Sequence, residues 1–199
     1  MQDTAAYRQD GVANAVSGRS LVSLVDTFDW SLTKLGPKEA WPQSLRTAVD
    51  IVLHSPVPMI LIWGLDGPMI YNDGYSELCR DRHPALLGNS VSRGWPEAAE
   101  FMADTAAKVL AGKAQRLRNQ EFVLERGGVA EKAWFDLAFS PVPDETGRPA
   151  GIIVIVSETT SRMRAEQATA GERERQQQAL RQMPGFVGCL QDPSTVTSM

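Results

Sequence analysis

Apolar and polar positions along the chain alternate with two distinct periods. Leu45, Ala48, Val49, Val52 and Leu53 recur at i, i+3, i+4, i+7 and i+8, with Gln43, Arg46 and Asp50 off that stripe, which predicts an amphipathic helix over residues 42–54. Pro42 suits its first turn, where a missing N–H is tolerated. Pro56 closes it. The mostly apolar runs 57–63 and 68–71 flank Gly64-Leu65-Asp66-Gly67, a turn signal that pairs them as an antiparallel hairpin. Asn72 or Asp73 then caps a short helix over 75–80, because a side-chain oxygen there satisfies unpaired amide donors. Pro84, Gly88 and Gly94 break residues 83–95 into short turns. A longer helix is expected over 96–111, with Ala98, Phe101, Met102, Thr105, Val109 and Leu110 on one face and Gly112 at its end.

Downstream the period changes from helical to extended. Strands are predicted over 117–124, 133–141 and 150–157, separated by Gly127-Gly128 and by Asp144-Glu145-Thr146-Gly147. Ala133, Phe135, Leu137 and Phe139 alternate with Trp134, Asp136, Ala138 and Ser140, giving one apolar and one mixed face. Residues 152–156 are apolar at every position, which fits a central strand covered on both faces. The order predicts an α+β architecture: a five-stranded antiparallel sheet, helices inserted between strands two and three, and the 42–54 helix on the opposite face. Residues 1–26 read as an N-terminal arm with a short helix at 20–26, and residues 27–160 as one domain. Residues 161–183 are rich in Arg, Glu, Gln and Ala and read as a solvated helix that pairs in a dimer. Met163, Ala168, Ala170, Ala179, Leu180 and Met183 fit a heptad only loosely, with Gly171 interrupting them. Residues 184–199 look like the opening of a second module.

Composition narrows the functional classes. The 199 residues suffice for one domain with extensions or two small ones, and the element order selects the first. With 20 basic against 24 acidic residues the net charge is −4, which lacks the positive field that nucleic-acid binding uses. The longest aliphatic run, 152–156, falls far short of the ~20 residues a membrane helix requires. The N-terminus has neither a basic nor an apolar stretch of secretory type, so a cytoplasmic location is expected. Cys79 and Cys189 lie 110 positions apart, which argues against a disulfide framework or a cysteine metal site. No nucleophile elbow, phosphate-cradling loop or zinc-binding helix motif occurs, and Glu97, Glu100 and Asp104 read as a solvated helix face. A non-catalytic chain is expected.

Several words of the text resemble one family when taken in order: Asp29-Trp30-Ser31, Leu35-Gly36-Pro37, Trp41-Pro42, Ser44-Leu45-Arg46, Trp63-Gly64, Tyr71-Asn72-Asp73, His83-Pro84 and Leu87-Gly88. With the element order, residues 27–160 resemble a PAS domain of the kind at the input end of bacterial histidine kinases, and 161–183 resemble its signalling linker. The family's closing Asp-x-Thr triplet stands here as Glu158-Thr159-Thr160. Residues 180–193 are similar to the start of a second such module, so the chain reads as a fragment of a longer protein.

The resemblance implies a sensory or dimerisation module of a two-component system. It would take a small molecule between sheet and inserted helices, form a homodimer, and pass a change through the C-terminal helix to a kinase or other effector. Trp63, Tyr71, Val91, Trp95, Phe101, Met102, Phe135 and Phe139 are the candidate pocket residues. Glu158, Thr159 and Thr160 are the candidate relay, and by themselves these three also read as a helix start. A flavin- or haem-binding photoreceptor or redox sensor is the alternative. In the light-sensing subgroup a cysteine forms the flavin adduct; Gly88-Asn89-Ser90-Val91-Ser92-Arg93 occupies that region, with Val91 in the cysteine's place. Haem would need His54, His83 or Met102 as its axial ligand. His54 reads instead as a helix cap, and Cys79 as a small buried residue. The chemical expectation is therefore a module without a cofactor.

Overall fold

A computed structural model describes residues 20–182; residues 1–19 of the expected arm 1–26 and the expected second-module start 184–199 lie outside them, as do Met183 and Cys189. Helix α1 (Leu21–Thr27) buries Leu21, Leu24 and Val25, so packing begins ahead of the boundary expected at residue 27. Helix α2 (Gln43–Leu53) buries Leu45, Ala48, Val49 and Val52, the stripe the periodicity predicts. Strands β1 (Met59–Trp63) and β2 (Met69–Tyr71) pair antiparallel. Helices α3 (Asp73–Cys79), α4 (Val91–Gly94) and α5 (Ala99–Leu110) follow, the last entered through a 3-10 turn at Pro96–Ala98. Strands β3 (Gln115–Arg126), β4 (Val129–Pro143) and β5 (Pro149–Glu158) complete one antiparallel sheet of order β2-β1-β5-β4-β3. The expected five-stranded sheet, with helices inserted between the second and third strands, is present.

The hairpin β3–β4 is longer than its hydrophobic alternation suggests. Only Gly127 and Gly128 form the turn, with φ of +57° and +76°, so pairing runs to Arg126 opposite Val129. Two consecutive positive φ values match the twist of an antiparallel pair and favour glycine at both places. That extension brings Arg126 into the sheet.

Strand parity sorts the two faces. Ile60, Leu137, Phe139, Val154 and Val156 share one face with residues of α3, α4 and α5. Val142 and Ile153 lie on the other and border α2 through Ala48 and Ile51. Coverage of that outer face is partial, which corrects the expectation for residues 152–156: Ile153 lies beside α2, whereas Ile155 is 42% exposed. An 11-residue helix reaches only part of a sheet this wide.

The N-cap of α2 is Pro42, whose side chain cannot accept a hydrogen bond. Glu145, from the β4–β5 turn, substitutes: its carboxylate accepts from the Ser44 amide (2.8 Å) and hydroxyl (3.1 Å). The hydrogen bond from the Ser44 amide is the main reason its carboxyl titrates below the usual value. Glu145→Gln is expected to speed amide exchange at residues 44–46 while leaving β5 unchanged; identical exchange in the two proteins would show that the cap does not hold α2.

Beyond Thr160 the chain continues as α6 (Thr160–Gln182), and residues from Ser161 onward form a separate unit. Its side chains are almost all exposed, Leu180 included, and Arg162 pairs with Glu166 at 3.4 Å.

Candidate functional site

The inner sheet face and α3–α5 enclose a cavity of about 80 Å³. Its wall is apolar: Ile60, Met69, Leu137, Val154 and Val156 from the sheet, Leu78 from α3 and Met102 from α5 are among the lining residues. Five candidate pocket residues converge there: Val91, Trp95, Met102, Phe135 and Phe139. Three do not. Trp63 shares the face of Leu61, opposite Ile60, and its ring lies over Gly151, where an added Cβ would come within 2.5 Å of it. Tyr71 is fully buried behind Tyr75, with ring centroids 5.4 Å apart, and its hydroxyl meets His83 Nδ1 at 3.0 Å. Phe101 packs edge-on against Phe122 (5.1 Å) instead of facing the cavity.

Among the described residues, the charged one lining the cavity is Arg126, which sequence analysis passed over. Phe122, Leu124 and Arg126 continue one period-two face, and that continuation is the signal that would have found it. Its side chain is 5% exposed. Arg126 Nη1 donates to Glu131 Oε1 (2.9 Å) and Glu158 Oε1 (3.1 Å), and Nη2 donates to Glu158 Oε2 (3.1 Å). Burial works against the guanidinium's charge, but these carboxylates outweigh it and hold its pKa above the usual arginine value. Burial likewise opposes ionisation of Glu158; hydrogen bonds from Arg126 and Thr160 win and hold its carboxyl below the usual range.

From Glu158 the hydrogen bonds continue to the start of α6. Thr160 Oγ1 donates to Glu158 Oε1 (2.7 Å) and accepts from the Trp134 amide (3.1 Å). The Thr159 amide donates to the Trp134 carbonyl (2.7 Å), and its hydroxyl to Asn119 Oδ1 (3.2 Å). Asn119 sits at a bulge of β3 with φ +50°, and its amide donates to Asp136 Oδ1 (2.8 Å). Glu158, Thr159 and Thr160 therefore stand in one network with β3 and β4, and Arg126 joins that network to the cavity wall.

Trp95 is held from behind. The Arg82 guanidinium lies 4.1 Å from its ring centroid, and Arg82 also bonds Glu97 at 2.5 Å, the Gly94 carbonyl at 2.6 Å and the Glu125 carbonyl at 2.9 Å. Glu97, at the 3-10 turn, is thus held by Arg82 on the exposed side, with Glu100 and Asp104 exposed beyond it. Among the described residues, the buried N–H donors Trp95 Nε1 and Arg126 Nε make no hydrogen bond to protein. The Tyr75 hydroxyl lies near enough to feel the Trp95 indole, though outside hydrogen-bonding geometry.

Neither flavin nor haem fits this site. About 80 Å³ is well below the roughly 300–1,000 Å³ of pockets that hold molecules of that size. Neither histidine lines it: His54 Nδ1 meets the Asp50 carbonyl at the end of α2, and His83 is engaged by Tyr71. Cys79 is buried, donates to the Tyr75 carbonyl, and has its thiol pKa pushed up to about 12 by burial, so it stays protonated near neutral pH. Among the described residues no cluster of three metal-ligating side chains occurs, and no helix is long and apolar enough to cross a membrane.

Comparison with known proteins places the fold. No curated protein matches the chain in sequence. Solved structures of similar fold include a LOV protein of Rhodobacter sphaeroides (15% identity, 66% of this chain and 75% of that one, TM-score 0.47). The PAS domain of Bordetella pertussis BvgS shares 18% identity over 65% of this chain and 96% of that one, with TM-score 0.44. A sensory box histidine kinase of Vibrio cholerae shares 13% over 57% and 85%, with TM-score 0.38. At such identities and scores these likenesses carry no argument about ligand or activity. The family model described as PAS fold matches residues 53–164, more than half of the chain, from the end of α2 through all five strands into the start of α6. The chain belongs to the PAS-fold family.

Proposed function

We propose that residues 20–160 form the sensory input of a longer cytoplasmic signalling protein, a two-component histidine kinase, acting as a homodimer. A small molecule held by Val91, Trp95, Met102, Phe135 and Phe139 alters the wall of the inner cavity, and Glu158, Thr159 and Thr160 pass the alteration to α6. The observation that carries this reading is Arg126, which borders the cavity and grips Glu158, whose carboxylate accepts from the first residue of α6. A binding event that displaces Arg126 by a few tenths of an ångström cannot leave that junction unchanged, because buried charged hydrogen bonds are steep in distance. The exposed, charge-rich α6 supports a role in pairing with a second copy.

Filling the cavity from one wall tests the relay. Ala98→Leu is expected to change amide exchange at residues 159–164 by severalfold while leaving the 143–149 turn as in the unaltered protein. Equal rates at 159–164 would remove Arg126 as a transmitter. Light scattering on the whole chain and on residues 20–160 tests pairing: a dimer that becomes a monomer on shortening supports α6 as the dimer element, and a monomer in both overturns it. A flavin or haem absorption band in the purified protein would overturn the cofactor-free reading.

A further inference from the structure

The inner cavity has almost no polar surface to offer a guest. Trp95 Nε1 and Arg126 Nε are shut off from it, with essentially no accessible surface, and both Nη atoms of Arg126 are held by Glu131 and Glu158. The surface that faces the space is almost wholly apolar. A buried water needs roughly two to four polar partners, so a space of this kind stays dry. Left empty, it forfeits dispersion contacts on every side, and voids larger than a water molecule are few in a packed interior. A charged or hydrogen-bonding guest would give up its bonds to water with no partner in return. An apolar guest gives up none and restores the missing contacts. Size sets the rest. A cavity of about 150 Å³ takes up benzene, so about 80 Å³ corresponds to roughly three or four non-hydrogen atoms. Met69 from β2 and Met102 from α5 line the space with unbranched, polarisable side chains that adjust to an occupant's outline, and Ala98 is the smallest side chain on the wall.

We propose that this cavity takes up one short hydrocarbon of roughly three or four carbons, held by dispersion against Met69, Met102, Leu137 and Val154 without a hydrogen bond. This deepens the sensory reading and rests on it. Leu137 and Val154 belong to β4 and β5, the strands whose Trp134 amide and Glu158 carboxylate engage Thr160, so occupancy bears on the strands that hold the start of α6.

The test uses three planar molecules with the same number of non-hydrogen atoms, 2-methylpropene, acetone and acetate, so that shape is held and polarity varies. Each is titrated into the whole chain and followed by carbon–proton NMR of the Met69 and Met102 methyl groups and by the amide signals of residues 159–164. Saturable shifts of both methyl signals and of those amides with 2-methylpropene are the expected results. Acetone should bind at least tenfold more weakly, because its carbonyl loses its bonds to water on entry, and acetate should not bind. Ala98→Leu should weaken 2-methylpropene at least tenfold; undiminished binding there would put the hydrocarbon elsewhere and overturn the proposal. The three probes are compared on the unaltered protein, so the test does not depend on how that variant folds. Acetone or acetate binding as tightly as 2-methylpropene would overturn the apolar class but keep the cavity as a sensor site. Saturation by 2-methylpropene with the 159–164 amides unmoved would keep the hydrocarbon and overturn the sensory reading. Exclusion of all three probes would overturn both.

Discussion

Asn72→Ala is expected to lower the stability of the domain by about 3–4 kcal/mol, read from the midpoint of urea unfolding at constant slope. Asn72 is 1% exposed and uses its whole amide. Oδ1 accepts from the Met59 and Tyr75 amides, each at 3.0 Å, while Nδ2 donates to the Ser55 (3.1 Å) and Val57 (2.7 Å) carbonyls. One side chain therefore caps α3, starts β1 and fixes the loop from α2. Truncation strands the Met59 amide and leaves two carbonyls to find water, and a buried unpaired group costs about 1–3 kcal/mol. Tyr75 retains the Asn72 carbonyl, so its loss is partial. Asn72→Asp should not rescue, since it removes both donors and buries a charge. A loss below about 1 kcal/mol would mean that water reaches all four groups.

The second large effect is expected at Arg126. Arg126→Met should cost about 2–3 kcal/mol, because two carboxylates that face a buried cation lose it together. That figure is set below the fully buried case because Glu131 and Glu158 remain 32% and 20% exposed. Adding Glu158→Leu to Arg126→Met should recover part of the loss, since an apolar pair avoids desolvating charge. Additive losses in the double variant would show that the two residues do not act as a pair. The pH dependence follows from Glu158, whose folded pKa lies below the ordinary value. A depressed carboxyl contributes stability that is complete above its unfolded value of about 4.3 and disappears as pH falls through the folded value. The stability gap between the unaltered protein and Glu158→Gln should therefore be widest near neutral pH and close as pH falls below about 4. A gap that widened in acid would reverse the sign of this pairing.

The elements themselves were legible from local pattern. The α2 stripe, the Asn72 cap, the Gly127-Gly128 turn and the inward positions of β4 all follow from periods of 3.6 and 2 and from turn chemistry, which depend on neighbours in the chain. The candidate pocket was legible in part. Val91, Trp95, Met102, Phe135 and Phe139 were found because inserted helices and inner strands must share one space, whereas Trp63 and Tyr71 failed on strand parity and on a ring standing in front. Phe101 failed on helix rotation: Ala98 and Met102 face the cavity, and Phe101 turns toward Phe122. Arg126 failed for a different reason. A charged residue beside a turn reads as solvated until its partners are known, and Glu131 and Glu158 lie 5 and 32 positions away.

The order of strands and helices, their faces and the absence of a basic surface charge come from the sequence alone, since each depends on residue types and spacings within a short window. The cavity's volume, the burial of Arg126 and the bonds from Glu158 to Thr160 exist only in the folded sheet. Antiparallel order β1-β5-β4-β3 lays side chains from distant segments against one another, and only there do desolvation and pairing turn a turn-flanking arginine into a buried partner of Glu158.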